Sequence, residues 1–423
     1  MRLTNVKIRQ SEFLFYVAYC VFLFSSILLE SFYSMYIYFI DKPMALFCAG
    51  LLFCKELLCR AVNRKTIWGI GIMYLLAVWI VYRGGGTRQI TFACTFLFAF
   101  GARDIDFKRI CRITLAITGF LLVFIIASAY AGIIPNYHTD TAVRSRDYLG
   151  FRYALYAPTL LANIVFLYVY IKDDRIKLVE IAGLFLVFWY IYRKTDSRLT
   201  FALAIATLLV ALVYKWRKKR ILKHKVLPRL LVPSYIYASV LSIYLTVRYN
   251  PNVAWMAKIN DILGRRLEYG RESITQFGIR LLGNPDIVWI GNGLTKEGET
   301  MVGTYLYVDN LYVQILQRYG VIFLIAYLAL ATIAMVRCYK KREYLLLVIM
   351  TIIAAHGVID DLILYLHFNT FELLFGSAVF GLIRDRREPV RLQLRFEGPT
   401  VNVRTARRGS RSGGRAPSDP VAD

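Results

Sequence analysis

The sequence predicts an all-α protein. It is expected to be a polytopic transmembrane helical bundle of about twelve spans, with both termini cytoplasmic and a long extracytoplasmic loop carrying an amphipathic helix. Three observations carry that expectation. Apolar residues make up 57% of the 423-residue chain and mean hydropathy is +0.49, well above the soluble norm. Apolar runs close to the length that a ~30 Å hydrocarbon core demands recur from end to end. Lys and Arg gather in alternate connections, the pattern that sets membrane topology.

Taken in order, the expected spans lie near 12–30, 43–59, 66–82, 89–102, 109–131, 154–171, 177–192, 198–214, 229–247, 319–337, 344–360 and 370–383. The runs 89–102, 198–214 and 370–383 are the weakest. The basic connections fall at 60–65, 103–112, 172–177, 215–229, 337–342 and beyond 384. With these and the N-terminus in the cytoplasm, about 36 of the 53 Lys and Arg lie inside. Residues 1–388 then form one integral membrane unit whose long outer loop runs over 248–318. Residues 389–423, rich in Arg, Gly, Ser and Pro, form a basic tail expected to be disordered beside the anionic inner leaflet.

The net charge of +25 would point to nucleic acid in a soluble protein. In this chain the positive-inside rule accounts for most of it, so nucleic acid is not an expected partner. The seven cysteines, Cys20, Cys48, Cys54, Cys59, Cys94, Cys111 and Cys338, fall in spans or short basic loops and show no disulfide framework or zinc spacing. The first apolar run lacks a small-residue cleavage site and begins the series of spans, which argues against a cleavable signal peptide.

The charges expected outside are unusual in kind, about 13 Arg against 4 Lys, where the cytoplasmic side has about 23 against 13. Topology needs only positive charge, whereas arginine offers a planar fork suited to phosphate and carboxylate. Four segments carry these arginines. Arg83-Gly84-Gly85-Gly86-Thr87-Arg88 reads as a plain glycine turn, since it lacks the Gly-Lys-Ser/Thr of a P-loop. The polar loop over 135–152 holds Arg144, Arg146 and Arg152. The short hairpin over 193–198 ends in Asp196-Ser197-Arg198 and places basic residues against the positive-inside rule. The long loop holds Arg265, Arg266, Arg271, Arg280 and Arg318. Within it, Ile259, Ile262, Leu263, Leu267, Ile274, Phe277 and Leu281 suit an amphipathic helix over about 255–282, lying in the membrane interface with Trp255 and Trp289 at headgroup level. Asn284-Pro285 and Gly291-Asn292-Gly293 are breaks.

The loop ends in Asp309-Asn310-Leu311-Tyr312, followed by Val313, Leu316 and Gly320. This run resembles the motif that opens a late span in the superfamily of Wzy-type polysaccharide polymerases and O-antigen ligases, Asn-x-Tyr-(Leu/Val)-x-x-Leu-x-x-x-Gly. Leu149-Gly150-Phe151, the Asp196-Ser197-Arg198 turn and the Arg265-Arg266 segment extend the resemblance in order over roughly 80–385. The resemblance implies a bacterial cell-membrane glycosyltransferase. Such enzymes use undecaprenyl-diphosphate-linked oligosaccharides at the outer leaflet to build capsule, exopolysaccharide or O-antigen. Its implied partners are those substrates, membrane lipids, and chain-length regulator and flippase proteins. Ligases of the superfamily often carry His where this chain has Asp309, which weakens the ligase reading.

The chemistry fits from below. A glycosyl diphosphate is already activated, so no cofactor, nucleotide or metal is required. Arginines can stabilise the leaving diphosphate, and a carboxylate can take the acceptor's proton. Asp309 is the candidate base and Arg266 its catalytic companion. Arg146, Arg152, Arg198, Arg265 and Arg271 are candidate diphosphate ligands, Asn310 and Tyr312 shape the site, and Arg318 is a further candidate. Asp309 reads equally well as a helix cap. His356 and Asp360, at i and i+4 on one helix face, are additional candidates that structural pairing explains as well. His367 could face the same cavity, His138 reads as a loop residue, and His224 lies in a cytoplasmic basic run. Asp104-Ile105-Asp106 imitates a metal-binding Asp-x-Asp but reads as a solvated turn. A flippase or transporter for the same lipid-linked units is the rival in another class. It would place binding groups near the midplane, often within internal repeats, and no obvious repeat is present.

Overall fold

The computed structural model describes residues 7–58, 64–84, 87–140, 145–221, 226–380 and 391–393. Cys59, Arg144, His224, residues 85–86 of the glycine turn and the tail beyond 393 lie outside the described set.

The described chain is almost entirely helical. A short strand β1 (Lys7–Arg9) leads into α1 (Gln10–Leu29), followed by α2 (Ser34–Ile37), α3 (Asp41–Leu58), α4 (Arg64–Gly84), α5 (Thr87–Gly101) and α6 (Phe107–Tyr130). The strands β2 (His138–Asp140) and β3 (Ser145–Asp147) form a hairpin before α7 (Tyr156–Lys172), α8 (Leu178–Thr195) and α9 (Arg198–Ile221). Next come α10 (Val226–Leu231), α11 (Ser234–Arg248), α12 (Ala254–Ile262), α13 (Arg266–Phe277) and α14 (Leu311–Arg318). The last elements are α15 (Val321–Lys340), α16 (Tyr344–His356), α17 (Leu373–Phe380) and β4 (Arg391–Gln393). The strand β4 pairs antiparallel with β1, inside the stretch expected to be disordered, and brings both described ends of the chain together.

Helix occupies every expected span. Five segments are long and apolar enough to cross a membrane by length and composition: Gln10–Leu29, Ser34–Leu58, Phe107–Tyr130, Arg198–Lys218 and Val321–Lys340. Shorter apolar helices cover Ile67–Arg83, Gln89–Gly101, Tyr344–His356 and Thr370–Val379. These features mark a membrane protein.

Two expected spans are interrupted. The run over 229–247 is divided into α10 and α11 at Pro233, which has no N–H to continue a helical ladder. The run over 344–360 stops at His356, and 357–361 turn back across the bundle. The helices α5 and α7 lie inside the protein, with Phe92, Phe98, Ala157, Leu160 and Val165 fully enclosed. Gly376 lets α17 press onto α5, because a Cβ there would run into the Ala99 carbonyl.

The long loop differs most from expectation. One interfacial helix was expected; two short helices, α12 and α13, form instead, and the loop closes on a small core of its own. That core holds Ile287, Trp289, Leu306, Val308 and Val313. Trp289 is therefore buried rather than at headgroup level, its Nε1 donating to Ser273 Oγ at 2.9 Å, while Trp255 remains exposed. The cap is joined to α14 by two glycines. Gly283 and Gly320 both have positive φ, and a Cβ on either would meet the facing backbone, at Arg318 and Leu281 respectively. Gly283→Ala or Gly320→Ala is expected to cost about 2 kcal/mol or more, because the clash is with backbone that cannot yield. Thermal unfolding of the purified variants should show a lower transition.

Candidate functional site

The site begins with an extended segment. Residues 304–309 run as a strand-like stretch, anchored where Ile290 and Leu306 exchange backbone hydrogen bonds at 3.0 Å. Successive side chains point to opposite faces. Leu306 and Val308 are buried in the core of the loop and Asn310 is buried at the start of α14, while Tyr305, Tyr307 and Asp309 are half-buried on the other face.

Asn310, not Asp309, caps α14. Its Oδ1 accepts from the backbone N–H of Tyr312 and Val313 at 3.1 Å. Its Nδ2 donates to Ser242 Oγ at 2.6 Å and to the Val358 carbonyl at 3.1 Å. Tyr312 is fully buried and donates to the Ala354 carbonyl at 2.7 Å. These two residues shape the site only by fixing the helix behind it. Asp309, which precedes the cap, has its Oδ2 3.6 Å from Arg266 Nη2.

The two adjacent arginines part company at the break between α12 and α13. Gly264 and Arg265 both take left-handed backbone, an unfavourable choice for Arg265 that a knot of contacts holds in place. Arg265 N bonds the Asn260 carbonyl at 2.8 Å, and Glu268 N bonds Asn260 Oδ1 at 3.1 Å. The Arg265 fork grips Glu268 at 2.8 and 2.5 Å and lies over the Tyr269 ring. That pairing holds the Glu268 carboxyl below its ordinary value. Arg265 therefore faces outward. Arg266 turns inward, donating from Nε to the Ile359 carbonyl and from Nη1 to the Leu263 carbonyl, both at 2.7 Å.

Around this pair lie two cavities. The first, of about 320 Å³, is lined by Arg146, Arg198, Arg266, Asp196 and Asp261, among others. Arg198 is exposed and paired to Asp196 Oδ1 at 2.9 Å across the left-handed turn at Asp196. Arg146 comes from β3, and its buried Nε has no hydrogen-bond partner among the described residues. The second, of about 360 Å³, is walled by Tyr153, Tyr305, Tyr307, Trp289 and the turn over 291–295, with Asp361 beside Tyr307. Asp309 belongs to neither lining, but its charge raises the phenol pKa of both Tyr153 and Tyr305, after burial as the larger cause.

Other sequence candidates have different places. Arg152 is buried and caps the end of α1, with Nε and Nη2 on the Leu29 carbonyl at 3.2 and 2.6 Å. It also bonds the Leu294 carbonyl at 3.1 Å and pairs with Glu30, so it lines the second cavity as a structural tie. Arg271 donates to the Val247 carbonyl and lines neither cavity. Arg318 lies 4.6 Å from the Trp289 ring centroid and bonds the Ile287 carbonyl. His356 and Asp360 are fully buried behind the site at 3.5 Å, with Thr159 donating to Asp360 at 3.1 Å. His367 is buried 3.7 Å from Glu30. Asp104 pairs with Lys55 at 2.8 Å while Asp106 caps α6, so the Asp-x-Asp is a turn whose exposed Asp104 reaches a buried lysine. Sequence reading missed Tyr153, Tyr305, Tyr307 and Asp261, and noted Asp361 only as adjoining His356 and Asp360. The alternation over 305–310 was the signal for two of them.

A scan against protein-family models, a search of curated proteins and a search of solved structures each find no match to this chain.

The hairpin carrying Arg146 is tied by His138, whose Nδ1 lies 2.7 Å from Asp147 and Nε2 3.2 Å from Asp140. Its bond to Asp147, and then that to Asp140, raise the imidazole pKa above the ordinary 6.5. Because the folded value is raised, this tie is fully present below the ordinary value and is lost as pH rises through the folded one. An NMR titration of His138 should give a midpoint above 6.5, and Asp147→Asn should bring it down.

Replacing Asn310 by Ala removes the cap of α14 and leaves the Val358 carbonyl without that donor. A loss of about 1–3 kcal/mol is expected in unfolding measurements, and Asn310→Asp, which keeps the capping oxygen but turns a buried carboxylate oxygen toward that carbonyl, should lose at least as much.

Proposed function

We propose that this chain is a bacterial polysaccharide polymerase, joining undecaprenyl-diphosphate-linked oligosaccharide repeat units at the outer face of the cell membrane. About twelve spans, cytoplasmic termini and an outer cap over 248–318 are part of that reading. One observation carries it: Arg266, which lines the cavity bordered by arginines, pairs with Asp309, whose charge reaches Tyr153 and Tyr305 of the cavity walled by tyrosines.

In this reading Arg146, Arg198 and Arg266 hold the diphosphate of the donor. As its sugar–oxygen bond breaks, negative charge collects on the leaving phosphate, where preformed guanidinium groups stabilise it. The acceptor hydroxyl attacks the sugar carbon and gives its proton to Asp309. The products are the lengthened glycan and a free undecaprenyl diphosphate, so atoms and charge balance without a nucleotide. Arg266 has two tasks, pairing with Asp309 and facing the leaving group. The capping of α14 by Asn310 supports the reading, because it fixes the helix start beside the Arg266–Asp309 pair. The exposed Trp255, Ile262, Leu281 and Val288 suit a cap that rests on lipid headgroups.

The full-length protein should make a ladder of products from a synthetic undecaprenyl-diphosphate repeat unit in EDTA without nucleotide. Arg266→Ala and Asp309→Asn should each slow it by about a hundredfold or more while remaining folded. Wild-type protein that makes no ladder, and instead moves the lipid between vesicle leaflets, would be a flippase. Transfer only onto a lipid-core acceptor would make it a ligase.

A further inference from the structure

We infer that the tyrosine-walled cavity is a saccharide subsite that takes an uncharged pyranose by stacking, separate from the arginine cavity; the inference rests on the glycosyl-transfer reading for its place in the reaction. The cavity's volume, about 360 Å³, lies within the ordinary range for small-ligand sites. Three half-buried rings, Tyr153, Tyr305 and Tyr307, form its wall. A second ring braces each of them edge-on. Tyr156 stands 5.5 Å from Tyr153, Tyr269 5.0 Å from Tyr305, and Trp289, itself part of the lining, 6.4 Å from Tyr307. Such buttressing fixes the ring faces before a ligand arrives, which reduces the ordering cost of binding.

The charges in the same wall are already engaged. Arg152 serves the Leu29 and Leu294 carbonyls and Glu30. Lys296 pairs with Asp41, and Arg318 covers Trp289. Asp361 accepts the Tyr307 hydroxyl at 2.8 Å. A diphosphate would have to pull these groups from their partners, whereas the C–H face of a sugar ring needs only the tyrosines. Arg146, with its Nε lacking a hydrogen-bond partner among the described residues, borders the other cavity instead.

The position follows from the extended backbone. Tyr305, Tyr307 and Asp309 share one face, with alternate residues about 6.6–6.8 Å apart along the strand. Tyr307 thus stands one such step from Asp309 and Tyr305 two, so a glycan lying along the wall is led toward Asp309. The subsite therefore selects which ring the carboxylate meets, making Tyr305 and Tyr307 specificity residues rather than catalytic ones.

The test uses the full-length protein in nanodiscs and saturation-transfer NMR. The probes are the methyl pyranosides of glucose, galactose and N-acetylglucosamine, with inorganic pyrophosphate measured in parallel. At least one pyranoside should receive saturation at its ring C–H protons. Tyr305→Leu and Tyr307→Leu should each weaken that affinity about five- to tenfold, and Tyr305→Phe, which keeps the ring, should not. Pyrophosphate binding should survive the leucine variants and fail in Arg266→Ala. If none of the pyranosides binds, or the leucine variants bind like wild type, the subsite is overturned and the polymerase reading stands on its ladder assay. If pyranosides bind at the tyrosines but no glycosyl transfer occurs, the polymerase reading falls and the subsite remains.

Discussion

Three consecutive carbonyls hold the polar face of this protein together. Gly357 O accepts from Leu311 N at 2.9 Å, Val358 O from Asn310 Nδ2 at 3.1 Å, and Ile359 O from Arg266 Nε at 2.7 Å. These carbonyls are available because α16 stops at His356, leaving the next residues without helical partners of their own. One short turn thus fixes both the helix behind Asp309 and the guanidinium in front of it. His356, Asp360 and Thr159 lie buried behind the turn and hold it against α7. Without that backing the pair would have no fixed geometry, and positioning is most of what a site acting on an activated donor must supply.

The cap over 248–318 follows the same logic at larger scale. Its core around Trp289 and Val308 is small, so polar ties to the bundle complete it. Ser273 links Trp289 to Gln317 through two buried bonds of 2.9 Å. The glycines at 283 and 320 let the cap approach α14 more closely than any side chain would allow. The outcome is a division of labour between neighbouring cavities. Arginine character borders one, where Asp196 and Asp261 partly offset it, and braced aromatic rings wall the other. Asp309 lines neither, but it pairs with Arg266 of the first and its charge reaches Tyr153 and Tyr305 of the second.

Much of this was legible in the sequence, and for physical reasons. Hydropathy and basic connections located the helices, because burial in lipid or protein demands apolar runs of a given length. Asp309-Asn310 was singled out correctly as a boundary, though which of the two would cap α14 could not be read, since both residue types do so. The arginines were read as a set, and the structure divides them by long-range partners that spacing cannot reveal. Arg152 is claimed by Leu29, Arg265 by a left-handed turn and Glu268, and Arg271 by Val247, while Arg146, Arg198 and Arg266 converge. The single interfacial helix failed at Gly264-Arg265, where two positive-φ residues break it. The burial of Trp289 was hidden because it depends on strand-like pairing between Ile290 and Leu306, sixteen residues apart.

The account turns on where a lipid-linked substrate sits, so a cryo-EM structure of the full chain with an undecaprenyl-diphosphate-linked repeat unit tests it most directly. The account predicts the diphosphate within reach of Arg146, Arg198 and Arg266, with the glycan passing Asp309 toward Tyr305. Substrate held among the helices near the middle of the bundle, away from these residues, would contradict it and describe a transporter.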